Sequence, residues 1–219
     1  MRSKIFGSFT ACLLLIGTTA LAGEQALSIN IETAAQVASV RAFKELGAQT
    51  GPRLSGMPAA AEMDAAALGD PLAVKMVRLD ELLRYQPGAT ADPTTLIHDL
   101  STVIYPIRVS GEVRGEMVMG KIDGAWSARG FGGTSHAKQL EHVRELVTTS
   151  ARVAPSATLL VRVPALNLEL VGHQDASGLQ LTPTRDLEAA GLKMGQTLPA
   201  ARVFEQLLPL ARQHNGLPS

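Results

Sequence analysis

Apolar positions along the chain recur first at helical spacing and then in alternation. From Thr33 to Leu46, Val37, Val40 and Phe43 keep a helical interval and Gly47 stops the run, which predicts a helix. The next stretch, to Asp70, has glycine and proline at intervals and few bulky apolar residues. It reads as a linker with at most short helical pieces, mobile near Gln49 to Ala67. Asp70 as a cap, Pro71 at a first helical position, and Leu72, Met76, Leu79 and Leu83 on one face then predict a second helix, ended by Gln86-Pro87-Gly88.

From Thr102 the period becomes alternating. Strands are expected at Val103 to Val109, Glu116 to Ile122 and Trp126 to Gly130, with Asp123-Gly124 supplying the positive φ of a tight hairpin. Pro106 suggests that the first of these strands lies at an edge or carries a bulge. A helix follows from Ser135 to about Thr149, with Leu140, Val143, Leu146 and Val147 as its apolar face. "ATLLVRVPALNLELVG" gives one long or broken strand and "LQLTPT" its return. A last helix, capped by Thr197, carries Val203, Phe204, Leu207 and Leu208 until Pro209 kinks or ends it. The expected fold is α+β: a mainly antiparallel sheet in the order β-β-β-α-β-β-α, covered by helices and preceded by an N-terminal helical segment.

Hairpin, helix, hairpin, helix suggests two diverged units within residues 70–219. With Val163-Pro164 on its strand, this order of elements from Thr102 to Asn215 resembles the soluble translocon-associated chaperones of the cyanobacterial periplasm and chloroplast intermembrane space. The resemblance is one of element order, without a shared residue motif, and Tyr105-Pro106 departs from it. The "DGAW" hairpin is similar to turns in cystatin-like and nuclear-transport-factor-like domains.

The N-terminus changes the picture. Arg2 and Lys4 precede an apolar stretch through Leu13 to Ile16, and Ala20-Leu21-Ala22 fits a signal-peptidase exit, so residues 1–22 read as a secretory signal peptide. The apolar stretch is shorter than the ~20 residues that a membrane span needs. The lone Cys12 sits inside that apolar core rather than at a lipidation site. Cleavage leaves residues 23–219 as a helical and flexible segment (23–69) and an α+β domain (70–219), with no cysteine and no second apolar span. Thiol chemistry and disulfides are thereby excluded. Losing Arg2 and Lys4 leaves 18 basic against 20 acidic residues, which is no footprint for nucleic acid.

The most suggestive chemistry is "RGFGGTSHAK". Gly130, Gly132 and Gly133 lie between a strand and a helix, where free amides and the positive helix end suit an anion, and Ser135 and His136 add a hydroxyl and a base. A dinucleotide fingerprint needs a further glycine where Ser135 stands, and an acidic residue at the end of the next strand, where Pro164 and Ala165 stand. Ser135 and Lys138 formally match S-x-x-K, but no K-T-G strand accompanies them. The histidines form no H-x-x-x-H pair, and Glu141, His142 and Glu145 read as an ordinary polar helix face, so no metal or cofactor is expected.

These patterns favour an exported, non-enzymatic accessory or binding protein holding a peptide or protein partner on a sheet edge or concave face, with Tyr105, Pro106 and Gly111 marking the edge. The alternative is a small-ligand binder or enzyme using the turn from Gly130 to His136. The mature protein is expected in the periplasm or outside the cell. Its intact mass after native expression should place the N-terminus within a residue or two of Gly23; an intact Met1 in the cytoplasmic fraction, or an acylated Cys12, contradicts the reading.

Overall fold

The computed structural model describes residues 31, 33–49, 60–88 and 92–214; the expected signal peptide and part of the expected linker fall outside them. The chain forms a mixed α+β fold around one nine-stranded, mostly antiparallel sheet. Its strands are β1 (Ala66–Leu68), β2 (Leu72–Val77), β3 (Ile97–Val109), β4 (Glu112–Ile122), β5 (Ala125–Gly132), β6 (Thr158–Val163), β7 (Leu168–Asp175), β8 (Gly178–Pro183) and β9 (Leu198–Pro199). The helices are α1 (Thr33–Gln49), α2 (Leu79–Arg84), α3 (Thr134–Ala151) and α4 (Ala200–Gln213). The sheet order is β5-β4-β3-β2-β6-β7-β8-β9, with β1 also paired to β3.

Two antiparallel runs meet at the one parallel pairing, β2 with β6, in register from Ala73 opposite Leu159 to Met76 opposite Arg162. Leu72, Val74, Ile104, Leu160 and Val171 face α3, which lays Leu140, Val143 and Val147 on them. The opposite face is covered twice. Phe204, Val203 and Leu207 of α4 pack on Leu159, Val161, Leu170 and Leu181, while Ala35 and Phe43 of α1 pack on Val103, Tyr105, Ile107, Met117, Met119 and Trp126.

The hairpins come out as the alternation predicts. Asp123 (φ 49°) and Gly124 (φ 81°) close the β4-β5 turn, and only a residue without Cβ takes the second conformation at no steric cost. The "VP" break falls between β6 and β7, where a short 3-10 turn, Pro164–Leu166, reverses the chain into a hairpin.

Five expectations are corrected. The helix expected from Leu72 to Leu83 is a strand followed by the six-residue α2. A central strand buries both faces, so Leu72, Ala73, Val74 and Val77 show no alternation, and Leu72 and Met76 fall at a helical interval by coincidence. On α1 the covered face is Ala35, Ser39 and Phe43, because small residues let the helix lie close to the sheet; Val37 and Val40 point outward, 67% and 49% exposed. Leu146, expected in the apolar face of α3, is likewise exposed. The last helix begins at Ala200, where Pro199 stands as N-cap, and runs through Pro209 to Gln213; the Thr197 hydroxyl pairs instead with that of Thr182, 2.8 Å away. Of the expected mobile stretch, the part from Ala60 onward is a 3-10 turn and strand β1.

Phe204 is fully buried in the larger core and meets Tyr85 edge-on with ring centroids 6.0 Å apart. Phe204→Ala should lower the unfolding free energy by about 3–5 kcal/mol in urea melts, since the rigid sheet beneath cannot collapse into the void.

Candidate functional site

The glycine turn is already occupied from within. Gly130 and Gly132 end β5, Gly133 is the N-cap of α3, and Ser135 and His136 lie in its first turn. No side chain caps this helix; the Thr134 hydroxyl donates instead to the carbonyl of Arg114. Glu116 stands opposite Gly132 on β4 and is 3% exposed. A Cβ on Gly132 would lie 2.2 Å from the Glu116 Oε1 atom, so the glycine is required by the carboxylate folded over it rather than by an external anion.

His136 lies between two carboxylates. Its Nδ1 is 3.0 Å from each oxygen of Glu116, and its Nε2 is 2.7 Å from Oε2 of Glu169 on β7. A neutral imidazole has one donor, whereas ionised carboxylates only accept, so both contacts together require the imidazolium. The hydrogen bond to Glu116, then that to Glu169, outweigh burial and push the His136 pKa from 6.5 to about 10. Burial pulls the Glu169 carboxyl upward, but the His136 hydrogen bond and charge together with Arg162 prevail and hold it below its ordinary value. The Arg162 Nε donates to Glu169 Oε1 at 2.8 Å. An imidazolium held in this way is a structural cation, not a base for Ser135. Ser135 and Lys138 are both exposed.

A second ionic chain ties the middle of α3 to the sheet. Arg108 of β3 donates to Glu141, which also receives Arg144 Nη1 at 2.9 Å. Arg144, 3% exposed, further donates to the Asp70 carbonyl at 2.8 Å and to the Thr158 hydroxyl at 3.1 Å. Glu141 therefore turns inward while His142 and Glu145 stay exposed, which divides the polar cluster seen in the sequence. Among the described residues no group of three or more His, Cys, Asp or Glu side chains is arranged to hold a metal ion.

The expected partner edge lies elsewhere. Tyr105 and Pro106 are buried in β3, an interior strand with β4 on one side and β1 and β2 on the other, and Gly111 is in the β3-β4 turn. Pro106 is tolerated because its nitrogen points where β1 gives way to β2; the Pro106 carbonyl on that side accepts from the Gly69 amide at 2.7 Å. Among the described residues the sheet ends at β9, two residues long and ending in proline, and at β5, eight residues long, while the three-residue β1 pairs with β3 alone. Beside β5, Ala38, Arg41 and Ala42 of α1 and Trp126 and Ala128 of the strand line a hollow of about 230 Å³.

The sequence reading missed Glu116, Glu169, Arg162, Arg108 and Arg144. Their one local signal is a charge set between apolar neighbours, as in "LLVRVP" and "NLELVG". Comparison of the chain with protein-family models, with curated proteins and with solved structures finds no match to any of them.

The ionic chain sets a pH signature. Folding raises the His136 pKa, so its stabilisation is complete below pH 6.5 and is lost as the pH climbs toward about 10. Folding lowers that of Glu169, so its share is present above pH 4.5 and is lost as the pH falls below that value. The stability gap between wild type and His136→Gln, followed by urea denaturation, should be widest between these limits and shrink steadily on the alkaline side; a gap that grows with pH contradicts the assignment.

Proposed function

We propose that the protein is an exported, non-enzymatic binding protein that holds an extended peptide, or an extended segment of a protein partner, along β5 beside α1. The observation that carries this is the asymmetry of the sheet: β9 ends in Pro199 after two residues, whereas β5 offers eight residues and has no further strand on its outer side among the described residues. An open edge next to a helix suits strand addition, in which main-chain hydrogen bonds supply affinity and alternate side chains enter the flanking groove. The hollow between α1 and β5 gives such a side chain a seat, with Arg41 and Glu45 at its rim. Export rests on the leader, with Arg2 and Lys4, the apolar core and Ala20-Leu21-Ala22. The other reading, a ligand site or enzyme at the glycine turn, has less support, because Glu116 fills the space an anion needs and His136 is held between carboxylates.

In the two-residue hairpin Ile122 and Ala125 pair directly, so the amide groups of Ser127 turn toward β4 and those of Ala128 turn outward. Ala128→Pro therefore removes an outward donor and leaves the β4 pairing whole. Short peptides alternating valine and threonine should bind the wild type and slow hydrogen exchange of β5 amides. The proline variant should keep its melting temperature and lose most of this protection. Equal binding by the variant, or protection confined to another strand, overturns the reading.

A further inference from the structure

The parallel pairing creates a second feature that the edge reading does not use. β2 and β6 run side by side and end together, at Val77 and Val163, and their chains then part in opposite directions: β2 leads through α2 to β3, and β6 leads through the 164–166 turn to β7. In open α/β sheets, ligands bind in the crevice beyond the carboxyl ends of adjacent parallel strands whose connections part, and this one parallel pair leaves a comparable space among the described residues. Here it is a groove of about 730 Å³, the right scale for a small organic ligand. Met76, Leu79 and Leu83 form one wall, Pro164 and Ala165 the other, and His214 at the end of α4 closes a side. Leu83 is 41% exposed within it.

The charge at this groove is specific. Arg78 spends its Nε on Asp80 at 3.1 Å, and Asp80 is shared with Arg84 at 2.8 Å. Glu81, 3.9 Å from Arg78, is engaged by His98. Arg78 and Asp80 both line the groove; the Arg78 side chain is 56% exposed, and its terminal amino groups are donors beyond the Nε that the two carboxylates approach. A bidentate fork at the rim of an apolar trough matches one kind of molecule, with an anionic head and an apolar tail.

We propose that this groove binds a small amphipathic carboxylate, its tail between Leu83 and Pro164 and its head on the Arg78 guanidinium. Isothermal titration of the purified protein with dodecanoate tests it, with dodecanol as the uncharged control. Dodecanoate should bind one molecule per chain. Arg78→Gln should weaken dodecanoate about tenfold while leaving dodecanol nearly unchanged, the loss expected of one charge-assisted contact. Ala165→Trp, which fills the trough, should abolish both without lowering the melting temperature. Absence of saturable dodecanoate binding, insensitivity to Ala165→Trp, or equal losses of both probes on Arg78→Gln overturns the proposal. Each of these outcomes is independent of peptide binding at β5.

Discussion

Everything in this fold is organised by the short parallel contact between β2 and β6. It joins two antiparallel runs that otherwise share no strand pairing, and it sits where the sheet is buried on both sides, so every residue of β2 except Met76 is withdrawn from solvent. A parallel pair cannot be made by a hairpin, and the chain has to travel from β2 through β3, β4, β5 and α3 before β6 can return beside it. The connection sets α3 across the centre of one face and leaves the other to α1 and α4, one over each flank.

The ionic chains on α3 belong to the same design. Hydrophobic contact presses the helix onto Leu72, Ile104, Leu160 and Val171 but does little to fix its position along them. His136 reaches β4 and β7, strands on either side of the parallel pair, while Glu141 and Arg144 reach β3, β6 and the carbonyl before β2. Each contact has a direction, and together they fix the register of the helix. Buried ion pairs add little net stability even when each charge has a partner, but removing one partner strands the other at a large cost. Gly132 is the local condition for this arrangement, because any larger residue would occupy the place of the Glu116 carboxylate.

The legible parts of the sequence were those whose signal is local. Strands β3 to β5 are rich in β-branched and aromatic residues and bounded by turn signals, Asp123-Gly124 has the chemistry of its turn, and α3 has apolar residues at helical spacing. Strand β2 was not legible, because burial on both faces erases alternation and its six residues mimic a helical stripe. Pro106 suggested an edge because sequence does not reveal that the partner strand is interrupted opposite it. For the site, the glycines were visible and their purpose was not: Gly132 and Glu116 are distant in sequence and meet only through the β4-β5 register, and Glu169 arrives from the other half of the sheet.

The unequal ends of the sheet also bear on how copies of the chain can associate. Growth of a fibre by edge pairing needs two competent edges per molecule, so that each new subunit leaves one behind for the next. Here β9 ends after two residues in a proline that has no amide hydrogen to give, whereas β5 is long enough to pair. Two molecules joined through β5 would have consumed the edge that each possesses, and the assembly would close as a two-fold pair. Among the described strands β5 is thus the one long open edge, with no second of matching length to carry propagation.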